Sequence, residues 1–392
     1  MRKLAILTSH PIQYQVPLFQ KLAKEPQVDL TVYFCWDFGV GKESFDHELG
    51  KNIKWDLPLL DGYNYKFLKN YSPRPENYLL GLINFGIVRE LKNGKYDLLF
   101  VHGWNSFTNI LAVLTAFLLG ISVAMHGDNC FACELVKPLW KRGLKKIILT
   151  VFFKKIRHFL YMGNEDKKFY KYHGVPENKL ISMPYATDND YFYKLSESID
   201  RKKVREREKV KNNIVILFVG KLVNRKRPMD LLKAYESLAK NYKPKTKSLS
   251  LIFVGDGNLR PELEKYARDR NLKDVVFAGF KNLTETPEYY AIADIFVIPS
   301  FNECWGIVVN EAMCFGLPII ASDTVGAISD LVLENKNGLI YKTGEIENLV
   351  YCLEQLVKDD KKRQSFGKKS LEIIKNYSFD KDVEGILRAI RS

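Results

Sequence analysis

Two glutamates eight residues apart, Glu303 and Glu311, lie in a segment whose other residues suit a phosphate. It reads Pro299-Ser-Phe-Asn-Glu303-Cys-Trp-Gly306-Ile-Val-Val-Asn-Glu311-Ala-Met-Cys-Phe-Gly316-Leu-Pro318. The apolar run before it reads as a strand, which leaves Glu303 in a loop and Glu311 in the helix that follows. Where loop becomes helix, from Cys304 through Trp305 and Gly306 to Ile307, backbone N–H groups have no intrahelical acceptor and can hold a phosphate. Gly306 lets the backbone come close to it. A carboxylate on each side of that cradle can accept hydrogen bonds from sugar hydroxyls, one from a transferred sugar and one from a ribose. Either glutamate alone reads as a solvated surface residue. The strand, the cradle and the Gly-Pro exit make the pair a candidate site.

Other chemistry-bearing residues also fall just after apolar runs. Val219-Gly-Lys221-Leu-Val-Asn-Arg225-Lys226 follows one, and brings three cations. Ser9-His10-Pro-Ile-Gln13-Tyr14 follows the first run of the chain, His102-Gly-Trp104-Asn105 a second, and His126-Gly-Asp128 a third. Three polar, histidine-bearing strand ends facing one cleft suit the binding of an acceptor.

The elements that must position these residues alternate along the chain. Strands are expected at 3–8, 29–34, 98–101, 122–125, 215–219, 249–254, 275–278, 295–298 and 319–321. Helices are expected at 14–24, 108–119, 227–241, 258–270, 286–292 and 308–314. Short apolar runs separated by helices of 10–15 residues are the pattern of a doubly wound α/β protein with parallel sheets. In such sheets ligands bind beyond the carboxyl ends of the strands, over helix N-termini. A length of 392 residues suggests two domains. The charged stretch 196–213 reads as the region between them, and 381–390 has helical spacing.

The segment from Glu303 to Glu311 resembles the E-x7-E element of retaining GT-B glycosyltransferases, specifically glycosyltransferase family 4. The stretch from Val219 to Lys226 resembles that family's G-R-L-x-x-x-K motif, and Phe253-Val-Gly-Asp-Gly257 and Phe277-Ala-Gly-Phe280 resemble two further strand ends. The resemblance spans nearly the whole second half. It implies a GT-B fold, two Rossmann-like domains facing each other across a cleft. The expected boundaries are an acceptor-binding domain over 1–190, a nucleotide-sugar donor domain over 191–378, and a helix over 379–392 that packs back towards the first domain. It implies that Lys226 and Lys221 neutralise the diphosphate, Glu303 contacts the donor sugar, Glu311 holds the ribose, and the loop near Phe280 lines the base. His126 resembles the histidine that reaches the donor sugar from the first domain. Lys221 stands where the family usually has Arg; it keeps the charge without the bidentate fork, which Arg225 is placed to supply. The Gly-Gly element usual in the first loop is absent.

Bulk properties narrow the reading. The net charge of +14 invites nucleic acid. Yet residues 137–158 alone hold eight basic and no acidic residues, and the rest of 1–190 is close to neutral. These cations are interleaved with Trp, Leu, Ile and Phe, which suits an anionic membrane surface, while no nucleic-acid recognition module is present. The longest apolar stretch, 110–124, is too short to span a bilayer. Cys130 and Cys133 form a lone CxxC with no second ligand pair, so reduced thiols are expected. Asp188-Asn-Asp190 spells a D-x-D metal motif but resembles the family's interdomain loop. Gly255-Asp-Gly257 lacks the third glycine of a dinucleotide fingerprint.

The expected protein is a retaining, metal-independent glycosyltransferase with no cofactor beyond a UDP- or GDP-type sugar as co-substrate. Its acceptor is expected to be a glycan or a lipid-linked saccharide of cell-surface polysaccharide synthesis. Its expected location is cytoplasmic, peripheral on the membrane face. The rival readings are a non-catalytic sugar-nucleotide binder of the same fold and a nucleotide-sugar epimerase.

Overall fold

The computed structural model describes residues 1–40, 44–46, 51–53, 55–76, 78–241 and 248–392. They form two units, one of Met1–Ser44, Ile53–Ala186 and Ser378–Ser392, the other of Phe45–Asn52 and Thr187–Tyr377. The chain begins with β1 (Arg2–Thr8), α1 (Val16–Leu22), β2 (Val28–Phe34) and a small ribbon of β3 (Ser44–Asp46) and β4 (Lys51–Ile53). It continues through β5 (Asn64–Phe67), α2 (Gly86–Gly94), β6 (Leu98–His102), α3 (Phe107–Leu118) and β7 (Ser122–His126). Next come α4 (Phe131–Leu135), α5 (Leu139–Phe153), β8 (His158–Tyr161), α6 (Asn164–Tyr172) and β9 (Leu180–Ser182).

The second unit opens with α7 (Asn189–Ser198), α8 (Arg201–Arg207), β10 (Ile214–Val219), α9 (Pro228–Asn241) and β11 (Leu249–Val254). It then builds α10 (Arg260–Asp269), β12 (Val275–Gly279), α11 (Thr286–Ile292), β13 (Ile295–Ile298) and α12 (Val308–Cys314). After β14 (Ile319–Ser322) follow α13 (Ile328–Leu331), β15 (Gly338–Tyr341), α14 (Ile346–Lys358) and α15 (Asp360–Ile374). The last helix, α16 (Phe379–Arg391), returns to the first unit.

Each unit is built on one parallel sheet, in the orders β5-β2-β1-β6-β7-β8-β9 and β12-β11-β10-β13-β14-β15. Strands covered on both faces must be apolar throughout, and Leu4–Leu7 and Val215–Leu217 are fully buried. Side-chain alternation divides the first core. Leu4 and Ile6 meet Phe19 of α1 and Ile386 of α16 on one face, while Ala5 and Leu7 belong with Val113 of α3 and Phe153 of α5 on the other. Both sheets reverse their order at the centre, between β1 and β6 and between β10 and β13, and a ligand crevice opens at such a reversal.

Two expectations need correction. Residues 196–213 are a packed part of the second unit: Val204 and Val210 are buried, and Arg205 bonds Asn213 O, Ile292 O and the Asp294 carboxylate. The charges mislead because one face of α8 is solvated while Val204 points inward. The helix expected over 14–24 starts only at Val16, because Ile12 O is taken by the turn amides of Gln15 and Val16 and Pro17 fits the first helical turn.

Candidate functional site

At the sheet reversal of the second unit, the loops after β10 and β13 are tied together. Phe301 N donates to Arg225 O at 2.7 Å. Lys226 and Glu303 form an ion pair, and Arg225 Nη1 lies 3.6 Å from Glu303 Oε2. Glu303 is held by its backbone as well: its N–H donates to Thr324 O and its carbonyl accepts from Gly326 N. Asn302 turns the chain with φ +53°, a left-handed value that Asn tolerates better than most residues. Gly306 has φ +95°, which favours glycine, and a Cβ there would stand 2.9 Å from Ile298 Cδ1, so that side chain would have to shift. Among the described residues, the amides of Gly306, Ile307 and Val308 have no protein acceptor. Three successive N–H groups beside Lys226 and Arg225 can bind an anion.

Glu311 lies inside the start of α12, is 8% exposed, and accepts a hydrogen bond from Tyr290 Oη at 2.7 Å. Burial pushes its carboxyl up to about 7, against the smaller opposing effect of that bond. The Trp305 side chain is buried, with its indole N–H on Asn310 Oδ1 at 2.9 Å. What Trp305 can offer a ligand is therefore backbone. Lys221, Cys304 and Phe280 are partly exposed in the loops at this edge of the sheet. Backbone packing holds the loop of Lys221: Gly220 N donates to Val254 O and Leu222 N to Asp256 O, and a Cβ on Gly255 would meet Gly220 O at 1.9 Å.

At the reversal of the first sheet, a cavity of about 230 Å³ opens beyond β1, β6 and β7. It brings together His102, Trp104, Asn105, His126 and Asp128, and adds Gln15 and Asn129, which the sequence reading did not select. His10, Gln13 and Tyr14 are not in its lining. The His10 ring packs edge-on against Trp36 and Phe38, and its pKa falls to about 4 through burial. Tyr14 stands against Tyr185, which hydrogen-bonds both Tyr14 and Asp128. The signal for Gln15 was available, since a polar residue at the very start of α1, after a strand end, is placed like Gln13.

The two cavity histidines have complementary hydrogen-bonding capacity. His126 Nδ1 meets Leu160 O at 2.9 Å; a carbonyl only accepts, so the proton is on Nδ1 and Nε2 is an acceptor. His102 Nδ1 faces the Gln15 amide nitrogen at 3.2 Å, while Gln15 Oε1 accepts from Thr8 Oγ1, so His102 carries its proton on Nε2. That Nε2 is buried without a partner. Burial keeps both rings neutral, with pKa values below the usual histidine range, and their centroids are 5.5 Å apart. A donor and an acceptor side by side suit a hydroxyl group, which is both. Asn129 orients Trp104 by accepting its indole N–H at 3.2 Å, and is itself fixed by Asp166.

The D-x-D sequence is a helix start. Asp188 caps α7 through Tyr191 N, and Asn189 is buried on Ile374 O and Tyr377 O. Among the described residues, no group of three or more His, Cys, Asp or Glu is placed to hold a metal ion.

Comparison with known proteins agrees with this architecture. Residues 200–372 match the family described as glycosyl transferases group 1. The chain is 29% identical over 278 residues to the UDP-Gal:alpha-D-GlcNAc-diphosphoundecaprenol alpha-1,3-galactosyltransferase of Escherichia coli, covering 69% of this chain and 68% of that one. It is 25% identical over 350 residues to an uncharacterised glycosyltransferase of Methanocaldococcus jannaschii, covering 84% and 96%. The fold resembles that of Anabaena HepE, solved in complex with UDP, over the full length of both chains, with a TM-score of 0.76 and 18% sequence identity. The match to the glycosyl transferases group 1 family spans somewhat less than half of the chain, and the two parallel-sheet, Rossmann-like units are those of GT-B structures.

Proposed function

We propose that the chain is a retaining, metal-independent glycosyltransferase of family 4, moving a sugar from a UDP- or GDP-type donor to a glycan or lipid-linked saccharide of cell-surface polysaccharide synthesis. The observation that carries this reading is the Lys226–Glu303–Arg225 cluster beside the unpaired amides of 306–308, with Glu311 buried behind them. The donor diphosphate replaces Glu303 on Lys226. Lys221, Arg225 and Lys226, with the amides, stabilise the charge that grows on the leaving diphosphate as the glycosidic bond breaks. Glu303, released from its ion pair, accepts hydrogen bonds from the transferred sugar. Glu311 takes the ribose hydroxyls, and the loop at Phe280 lines the base. His126 Nε2 accepts from a donor-sugar hydroxyl, and the rest of the first-unit cavity receives the acceptor.

The relatives support the substrate classes. The Escherichia coli relative's name specifies a UDP-sugar and a diphosphate-linked lipid acceptor, and a HepE structure holds UDP and glucose. With such an acceptor the enzyme works at the cytoplasmic membrane face, and the cations of 137–158 supply its contact with anionic lipid. It needs no cofactor beyond the co-substrate and does not bind nucleic acid.

The test is a donor-turnover screen over UDP-, GDP- and dTDP-sugars in the presence of a chelator, with Glu303→Ala as control and the anomeric configuration of the product read by NMR. One donor is expected to turn over with its configuration kept, and the variant to be inactive. Binding without turnover would favour a non-catalytic sugar-nucleotide protein, and conversion of the free donor to its epimer would favour an epimerase.

A further inference from the structure

In α5 the outer side is apolar as well as the inner one, where Leu149 and Phe153 are buried. Its exposed side carries Trp140, Leu144, Ile147, Ile148 and Val151, a spacing that puts apolar groups on one face. Arg142 and Lys145 turn inward instead. Lys145 pairs with the buried Glu134 at 2.6 Å and stands over Trp104, and Arg142 stands over Tyr172. The neighbouring helix of the same layer, α3, carries no charge and keeps its polar groups, Thr108, Asn109 and Thr115, buried. Its buried side holds Ala112, Val113 and Ala116, and its outer side holds Leu114, Phe117 and Leu118, the last 82% exposed. Residues 107–121 contain no charged side chain. The two helices share the same core, through Val113 and Phe153, and two residues past the end of α5 Lys155 Nζ lies 3.7 Å from the centre of the Phe117 ring.

An outer helix side made only of exposed apolar groups lacks something that should cover it. We propose that α3 and α5 together form one membrane-docking face, with the uncharged outer stripe of α3 as the inserted anchor and the cations of α5 as its lipid headgroup contacts. This rests on the membrane reading of residues 137–158 and extends it to a helix that carries no cation. The occupant is an anionic lipid monolayer, because Lys141, Lys146, Lys154 and Lys155 are exposed in the segment that carries the α5 stripe, Lys155 stands over Phe117 of the α3 stripe, and no acidic residue lies within 137–158. A second copy of the chain would set the same cations against each other.

The full chain is sedimented with vesicles of phosphatidylcholine alone and of phosphatidylcholine with phosphatidylglycerol. Two variants are compared with it: Phe117→Ser/Leu118→Ser in α3, and Lys141→Glu/Lys146→Glu in α5. All four side chains are exposed, so circular dichroism should match the wild type. The expected result is binding that requires phosphatidylglycerol and falls roughly tenfold or more in each variant. In a Trp140→Phe background, Leu118→Trp should gain fluorescence quenching by brominated lipid, a signal that a misfolded control cannot supply. If the α3 variant binds like wild type and the indole introduced by Leu118→Trp is not quenched, while the α5 variant is released, the two-helix face is overturned and the narrower membrane reading stands. If wild type binds no vesicle, both fall. Concentration-dependent dimerisation that is lost in the α3 variant would also overturn the proposal, in favour of a protein interface.

Discussion

Lys226 and Glu303 satisfy each other in the free protein, whereas Glu311 is buried and bonded to a tyrosine. The two glutamates should therefore fail in different ways. Glu303→Ala is expected to lower kcat roughly 10²–10³-fold, through loss of its hold on the transferred sugar, and to bind UDP at least as tightly, because Lys226 no longer has a partner to give up. Turnover kinetics and calorimetric titration with UDP check both halves. Glu311 has a folded-state value of about 7, above its ordinary 4.5. Its contribution to stability is full below pH 4.5 and is lost as pH rises through about 7, because the buried carboxyl must then ionise. A ribose needs the ionised form as acceptor, so UDP should bind more tightly as pH rises across the same window, and Glu311→Gln should flatten that profile. Calorimetry at stepped pH is the measurement, and a slope unchanged in the variant would assign the titration to another group. The residues of this site were legible as a motif, because Glu303, Gly306, Glu311 and Lys226 follow strand ends at fixed spacing. Asn129 was not, because its role is to orient Trp104 across 25 residues of sequence; Gln15 stands at a readable place, but its contact with His102 spans 87 residues.

The loops that carry the site depend on glycines set between packed elements. Gly306→Ala would force a Cβ to 2.9 Å from Ile298 Cδ1 at φ +95°, and is expected to cost about 1–3 kcal/mol of stability and to weaken UDP binding. Gly255→Ala meets a carbonyl at 1.9 Å, so it should destabilise more, although position 255 carries no ligand group. Urea midpoints for the two variants give the ranking. Most strands buried on both faces were readable, but β8 was not, although Phe159 and Leu160 are fully buried, because it begins where the basic run 137–158 ends. Among helices, Thr286–Ile292 and Val308–Cys314 fall where the apolar spacing puts them. The edge strand β5 was not foreseen, since three of its four residues are exposed and its pairing with β2 joins segments some 30 residues apart. Residues 196–213 misled because charge density was read as solvation, when Val204 within the short helix and Val210 after it are enough to dock the segment.

On the scale of the whole molecule, two separate cores imply two separable stabilities. The chain enters the second unit at Thr187 and leaves it at Tyr377, and its last helix is part of the first core. Phe379, Val383, Ile386 and Ala389 of α16 are buried with Phe19, Leu30 and Ile181, and Gly385 lies so close to Ser182 O that a Cβ would stand 2.6 Å away. Ile386→Ala should therefore cost about 2–4 kcal/mol, and all of it should fall on the first unit. UDP should act on the other transition: a ligand held by the second unit at a hundred times its Kd stabilises that unit by about 2.7 kcal/mol. Scanning calorimetry on the wild type and on Ile386→Ala, each with and without UDP, separates these effects. The expected pattern is one transition moved by the mutation and the other by the nucleotide. If one cooperative transition responds to both, the cores are energetically coupled, and α16 then transmits donor occupancy to the unit that holds the cavity histidines.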